Sequence, residues 1–287
     1  MNKALVAAAL GAFCMMPLSS RAQELRAPAG AIAGSEVAIG TSGNGNGTFY
    51  LIGPGTALKR EVQFGQEVKL PPRDVRHAGV YRAVACTDEC RSVTFHVSAA
   101  KPASLSFLVH PSRAPVALGD VISGVALPFD EFSNLVVSPT KVSFQLNAKD
   151  KTIMSQSATT QSGVAWFRAA SGRSAEAVQV VAQVDDVSAR RVVQQVASDP
   201  CSLRIKGQRT AKGITVETEP VRDCTGNPVP DGTIVTFTAK HGKDISTVDA
   251  PIKQGIARAQ MIAPGPVVVS AASGVVMGNE LRLGAQP

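Results

Sequence analysis

Between residues 142 and 146 apolar and polar side chains alternate: Val142, Phe144 and Leu146 fall on one face of an extended strand, Ser143 and Gln145 on the other. The same period of two returns at Val235, Phe237 and Ala239, with Thr236 and Thr238 between them and Ile234 as the one apolar residue on the outer face. It returns again at Val80–Val84, where Tyr81 and Ala83 oppose Val80, Arg82 and Val84, and at Val93, Phe95 and Val97. Such alternation buries one face and leaves the other to solvent. Turn residues separate the runs, as in Gly226-Asn227-Pro228 and Pro230-Asp231-Gly232. Pro fixes φ there, and Gly and Asn accept positive φ. Short strands at this spacing predict antiparallel β-sandwiches.

The pattern repeats with a period of about 93 residues. Asp130–Leu146 lies over Asp223–Ala239 without a gap, matching Asp130 to Asp223, Asn134 to Asn227, Val136 to Val229 and Phe144 to Phe237. Gly163-Val164-Ala165 then matches Gly255-Ile256-Ala257 at an offset of 92, and a Val-rich strand closes each copy at Val178–Val184 and Val267–Ser270. That period is too long for a solenoid unit and fits tandem whole domains. Lys101-Pro102 and Asp199-Pro200 are natural boundaries, because Pro restrains the residue before it and cannot continue a ladder. The expected division is a leader over 1–22 and domains over 23–100, 101–198 and 199–287, joined by short linkers like three beads on a fairly stiff string.

At Asp223, Gly226–Pro230, Val235 and Phe237, followed by Gly255-Ile256-Ala257 and Val267–Ala271, the chain resembles the bacterial immunoglobulin-like domains of the invasin/intimin type (Big-1). The resemblance covers most of 199–287. Residues 101–198 follow it more loosely, with Ser133 in place of the Gly and Leu135 in place of the first Pro. It implies three tandem immunoglobulin-like sandwiches and a role in cell adhesion. In the first third, Asp74–Tyr81 resembles the segment entering strand F of an immunoglobulin sandwich, where a Tyr hydroxyl bonds back to the backbone. The position two beyond Tyr81 is Ala83, so the usual inter-sheet disulfide is absent.

Composition adds the compartment. Lys3, the apolar run Ala4–Met16 and the small residues of Ser20-Arg21-Ala22 form a secretory leader, cleaved after Ala22. The run is too short for an ordinary membrane span, and no later segment reaches the ~20 apolar residues one requires. An exported product is expected: periplasmic, cell-surface or extracellular. Four cysteines follow, Cys86, Cys90, Cys201 and Cys224. In an oxidising compartment an even count implies disulfides, and spacing favours the sequential pairing. His77 and His96 flank the first pair, but no zinc spacing is completed, so neither a metal nor another cofactor is expected. Removing Lys3 and Arg21 leaves 27 basic against 22 acidic residues, spread evenly along the chain, which argues against a nucleic-acid partner.

Residues 223–232 read as the bend before a core strand rather than as a site. His241 lies beyond the far end of that strand, and Asp223 and Asp231 have nothing to pair them. Gly43–Thr48 lacks the Lys-Ser/Thr of a phosphate loop and reads as an inter-strand connection. Arg190-Arg191 reads as a charged edge that discourages strand pairing between molecules. If Ala165, Phe167 and Ala169 point inward, Trp166 and Arg168 face out, and an exposed Trp beside an Arg is the composition of an interface anchor. The competing readings are a neighbouring domain over Trp166 or a register shifted by one residue. No residue pair argues for catalysis. The expected function is non-enzymatic: an adhesin-like or interaction module with a protein or glycan partner. A periplasmic accessory subunit and a glycan- or small-ligand-binding protein are the alternatives.

Overall fold

A computed structural model of the chain describes residues 24–149, 151–211 and 213–284. The leader expected over 1–22 lies outside the described residues. The structure is all-β, and the chain divides into two compact units, Met1–Ala100 and Lys101–Pro287. Among the described residues no helix is long and apolar enough to cross a membrane.

The first unit contains β1 (Leu25–Arg26), β2 (Gly30–Ile32), β3 (Val37–Thr41), β4 (Asn46–Gly53), β5 (Thr56–Gln63), β6 (Glu67–Leu70), β7 (Gly79–Cys86) and β8 (Cys90–Ser98). A three-stranded sheet, β1-β3-β6, pairs with a five-stranded one, β2-β8-β7-β4-β5. Phe49, Leu51, Tyr81, Ala83, Phe95 and Val97 are buried, as period-two alternation requires. The Tyr81 ring stacks on Phe95 and its hydroxyl donates to the His77 carbonyl at 3.0 Å, giving the tyrosine corner. Asn46–Thr48, read from sequence as loop, already belongs to β4, with Asn46 opposite Gln63. Gly47 permits this, because a Cβ there would run into the Phe64 ring and the Cys86 carbonyl.

The second unit holds two sandwiches. In the first of them the strands are β9 (Ser104–His110), β10 (Arg113–Pro115), β11 (Ile122–Phe129), β12 (Lys141–Ala148), β13 (Lys151–Thr159), β14 (Ala165–Ala169), β15 (Ala177–Val184) and β16 (Val187–Val196). They form sheets β14-β11-β9 and β10-β16-β15-β12-β13. Between the sheets Phe144 packs on Phe167 and Phe107, with ring centroids 4.8 and 6.1 Å apart. Val142, Leu146, Val178 and Val180 complete this core. Strand β10 pairs only with Gln194–Val196 of β16. Arg190 and Arg191 stand exposed on the stretch that β10 leaves uncovered.

The last sandwich repeats the plan with β17 (Ile205–Thr210), β18 (Gly213–Thr218), β19 (Ile234–His241), β20 (Asp244–Pro251), β21 (Arg258–Met261), β22 (Val267–Ser273), β23 (Val276–Met277) and β24 (Leu281–Leu283). Sheet β17-β18-β21 faces β20-β19-β22-β23, with β24 also on β22. Val235, Phe237 and Ala239 are buried and Ile234 is exposed, the face assignment that the alternation dictates.

The aromatic trio carries much of the middle core, so Phe144→Ala is expected to cost about 3–5 kcal/mol. At ~4–8 °C per kcal/mol for a domain of this size, the melting temperature of that sandwich falls by more than about 12 °C. Trp166, the only tryptophan, lies in that sandwich, so its fluorescence reports the melt.

Candidate functional site

Strand β14 is short and strictly alternating: Ala165, Phe167 and Ala169 are buried, whereas Trp166 and Arg168 are exposed. Phe167 belongs to the aromatic trio, which fixes the register, and a one-residue slip would bury Trp166 instead. Across the sheet Trp166 lies opposite Val125 of β11, and Val125 lies opposite Leu108 of β9. The three form one row on the outer face. Leu108 is 64% exposed and Trp166 62%, with Val125 half-buried between them. Strands sit about 4.8 Å apart, so the row spans roughly 10 Å of apolar surface.

The following row on that face is His110, Ser123 and Arg168. A cleft of about 450 Å³ opens on the other side of Trp166, lined also by Ala158, Thr159, Gln161 and Val164. It lies between β13 and β14, which are the edge strands of their two sheets. Strands β9, β11, β13 and β14 contain no Asp or Glu, but they carry His110, Lys151 and Arg168.

The last sandwich fills the same row with charged residues. At the matching positions Lys206 of β17 lies opposite Glu217 of β18, and Glu217 opposite Arg258 of β21. Arg258 Nε donates to Glu217 Oε2 at 2.7 Å and Lys206 Nζ lies 3.1 Å from Oε1. The hydrogen bond from Arg258, then that from Lys206, hold the Glu217 carboxyl below its ordinary pKa. One copy thus carries a charged, self-satisfied row and the other an unsatisfied apolar one. Sequence reading isolated Trp166 and Arg168 but missed Leu108 and Val125. The signal was available in the repeat, since Trp166 replaces Arg258 at the same offset of 92 that matches Gly163 to Gly255.

A second arrangement corrects the reading of residues 223–232 as only a bend. Asp223 is buried, 3% exposed. Its Oδ1 accepts from the Thr225 hydroxyl at 2.7 Å and from the amides of Thr225 and Asn227, both at 2.9 Å. Its Oδ2 accepts from the Ser198 amide, in the linker from the preceding sandwich, at 3.1 Å. The Asn227 side chain spans the junction: Nδ2 donates to the Arg173 carbonyl at 2.7 Å and Oδ1 accepts from the Ala175 amide at 3.0 Å. Asp223 therefore has partners after all, and its turn ties the two sandwiches of the second unit together. Asp130 forms the same local turn, accepting from the amides of Phe132 and Asn134. The Asp and Asn recurring four apart in both copies was the visible sign of it.

The cysteines occupy two hairpin-like closures. Cys86 and Cys90 are bonded across the β7–β8 turn, where they are direct cross-strand partners. Cys201 is bonded to Cys224, next to the junction turn, and the Cys201 amide donates to the Arg222 carbonyl.

Solved structures of bacterial proteins share the fold, three of them over more than nine-tenths of this chain. FdeC, an adhesin of Escherichia coli, superposes with a TM-score of 0.68 over 95% of this chain and 99% of its own, at 13% identity. InvD of Yersinia pseudotuberculosis gives 0.53 over 94% of this chain and 100% of its own, at 12% identity. Invasin, a bacterial integrin-binding protein, gives 0.54 over 92% of this chain at 12% identity, with only 60% of its own length covered. The chain thus has the tandem immunoglobulin-like fold of invasin/intimin-type proteins. No protein-family model and no curated protein matches it.

Burial works to raise the Asp223 pKa, but the bonds from Thr225, Ser198 and Asn227 outweigh it and set the carboxyl at about 2. Its unfolded value is ~3.9, so the carboxylate stabilises the fold above about pH 4 and loses that effect as pH falls toward 2. The contribution is on the order of 2 kcal/mol. Asp223→Asn should therefore lower the protection of β19 amides against hydrogen exchange at pH 6, and the gap to wild type should narrow below about pH 4 and close as pH falls through about 2.

Proposed function

We propose that the protein is an exported, non-enzymatic, adhesin-like module of the cell envelope or extracellular space, and that its second sandwich presents the Leu108–Val125–Trp166 row to a partner protein. One observation carries this reading: the row that is Lys206–Glu217–Arg258 in the last sandwich, ion-paired and content in water, is apolar in the one before it. An apolar row with an exposed Trp and an Arg beside it has the makeup of an interface centre. The alternating core imposes no such requirement, since both copies bury the matching Phe144 and Phe237 with polar or apolar rows outside.

The fold shared with an adhesin and with an integrin-binding protein supports a contact role. Fold does not fix function, so the site carries the argument. The further expected features (secretion through the leader and three domains over 23–100, 101–198 and 199–287) are part of the same proposal.

Two measurements test it. A photoreactive phenylalanine analogue in place of Trp166, irradiated in the producing cells or with the cells they contact, should yield a crosslinked protein adduct, and the same analogue at Arg258 should not. Equal adducts at both positions, or none at Trp166, would contradict the binding face. Protease shaving of intact cells then separates surface display, the adhesin-like case, from protection inside the envelope, which would transfer the same face to a periplasmic accessory role.

A further inference from the structure

We infer that the cleft between β13 and β14 receives an extended acidic peptide segment of the partner protein, which adds a strand to the free edge of β14. The inference rests on the reading of the second sandwich as the binding module and names how the partner is held. Strand β14 ends its sheet, so half of its backbone N–H and C=O groups point away from β11 toward the cleft. Edge strands of this kind pair with foreign strands unless charge, Pro or a covering element prevents it.

Two other uncovered stretches carry charge. Arg190 and Arg191 stand on the uncovered stretch of β16. In the last sandwich Arg258 opens the edge strand β21 and is ion-paired to Glu217, while Asp244 and Asp249 lie on β20 across the corresponding gap. At β14 the outward residues are Trp166 and Arg168, and the facing β13 ends in Ser157, Ala158 and Thr159. This edge is the least guarded of the three and carries the apolar anchor.

Charge selects the occupant. The residues lining the cleft include no carboxylate, and Arg168, two residues along β14 from Trp166, is unopposed by any acid on β9, β11, β13 or β14. A five-residue strand lying along β14 would span about 17 Å. Its alternate side chains would fall beside Trp166 and Arg168, so one apolar and one acidic position two residues apart satisfy both. Main-chain pairing supplies affinity without demanding a fixed sequence, and the Trp166–Arg168 pair supplies the preference.

Because Trp166 is the sole tryptophan, its emission reports occupancy of the cleft directly. The probe is a synthetic decapeptide repeating Val-Ser-Asp-Ser (the Asp-Val peptide), which sets Val and Asp two residues apart on one face, compared with its Val-Ser-Lys-Ser counterpart (the Lys-Val peptide) and with two forms N-methylated either at every Ser or at every Val and Asp. The Asp-Val peptide should shift Trp166 emission to the blue saturably, and Arg168→Glu should raise its Kd at least ten-fold. The Lys-Val peptide should bind at least ten-fold more weakly. One of the two N-methylated forms should lose binding, since only one set of amides can face β14. Equal binding of both methylated forms, equal binding of the Lys-Val peptide, or no shift at millimolar peptide would overturn strand addition. A protein adduct at Trp166 in cells together with any of those results would leave the binding face standing and remove only this mode of capture.

Discussion

Every strand in this protein has two faces, and the core claims one of them. The constraint fixes Phe107, Phe144 and Phe167 in one sandwich and Phe237 with its aliphatic neighbours in the next. It leaves the outer face free to change without disturbing the fold. The two repeats exploit that freedom in opposite ways. At one set of positions a Lys–Glu–Arg row meets water with its charges paired, and at the matching set a Leu–Val–Trp row does not. Since burial of the inner face is common to both, the core does not impose the outer difference, and the proposed partner surface is offered as its cause.

The second constraint is where that face stands. A buried carboxylate, Asp223, orders a turn whose Asn227 then grips two backbone groups of the preceding sandwich, Arg173 and Ala175. The Cys201–Cys224 bond fastens the incoming chain to the same turn. A surface patch on a freely swivelling domain would lose orientation on binding. A patch whose domain is bonded to its neighbour through side chain and backbone has less to lose. The junction makes two of the sandwiches act as one body.

The fold was legible because its signal is local. Alternation at Val142–Leu146 and Val235–Ala239 needs only the strand's own residues, and the turn residues at 226–232 follow from φ restrictions alone. The outward placement of Trp166 was legible through the repeat, which set the register. What lay across the sheet was not: Leu108 and Val125 are distant in sequence, and pairing of β9 with β11 and β14 brings them to the same row. The role of Asp223 was hidden for a related reason. An Asp before a turn is expected from turn chemistry, and its bond to Ser198, together with the reach of Asn227 to Arg173, exists only after two domains have docked.

The central claim is that the Leu108–Val125–Trp166 row, and not the fold as a whole, holds the partner. The most direct test writes the charged row of one copy onto the other: Leu108→Lys, Val125→Glu and Trp166→Arg together, with a photoreactive residue at Arg168 as the reporter of contact. The account predicts that this variant keeps its circular dichroism and melts within a few degrees of a control carrying the reporter alone, yet loses the adduct that the control forms. An adduct of undiminished yield from the folded variant would contradict it.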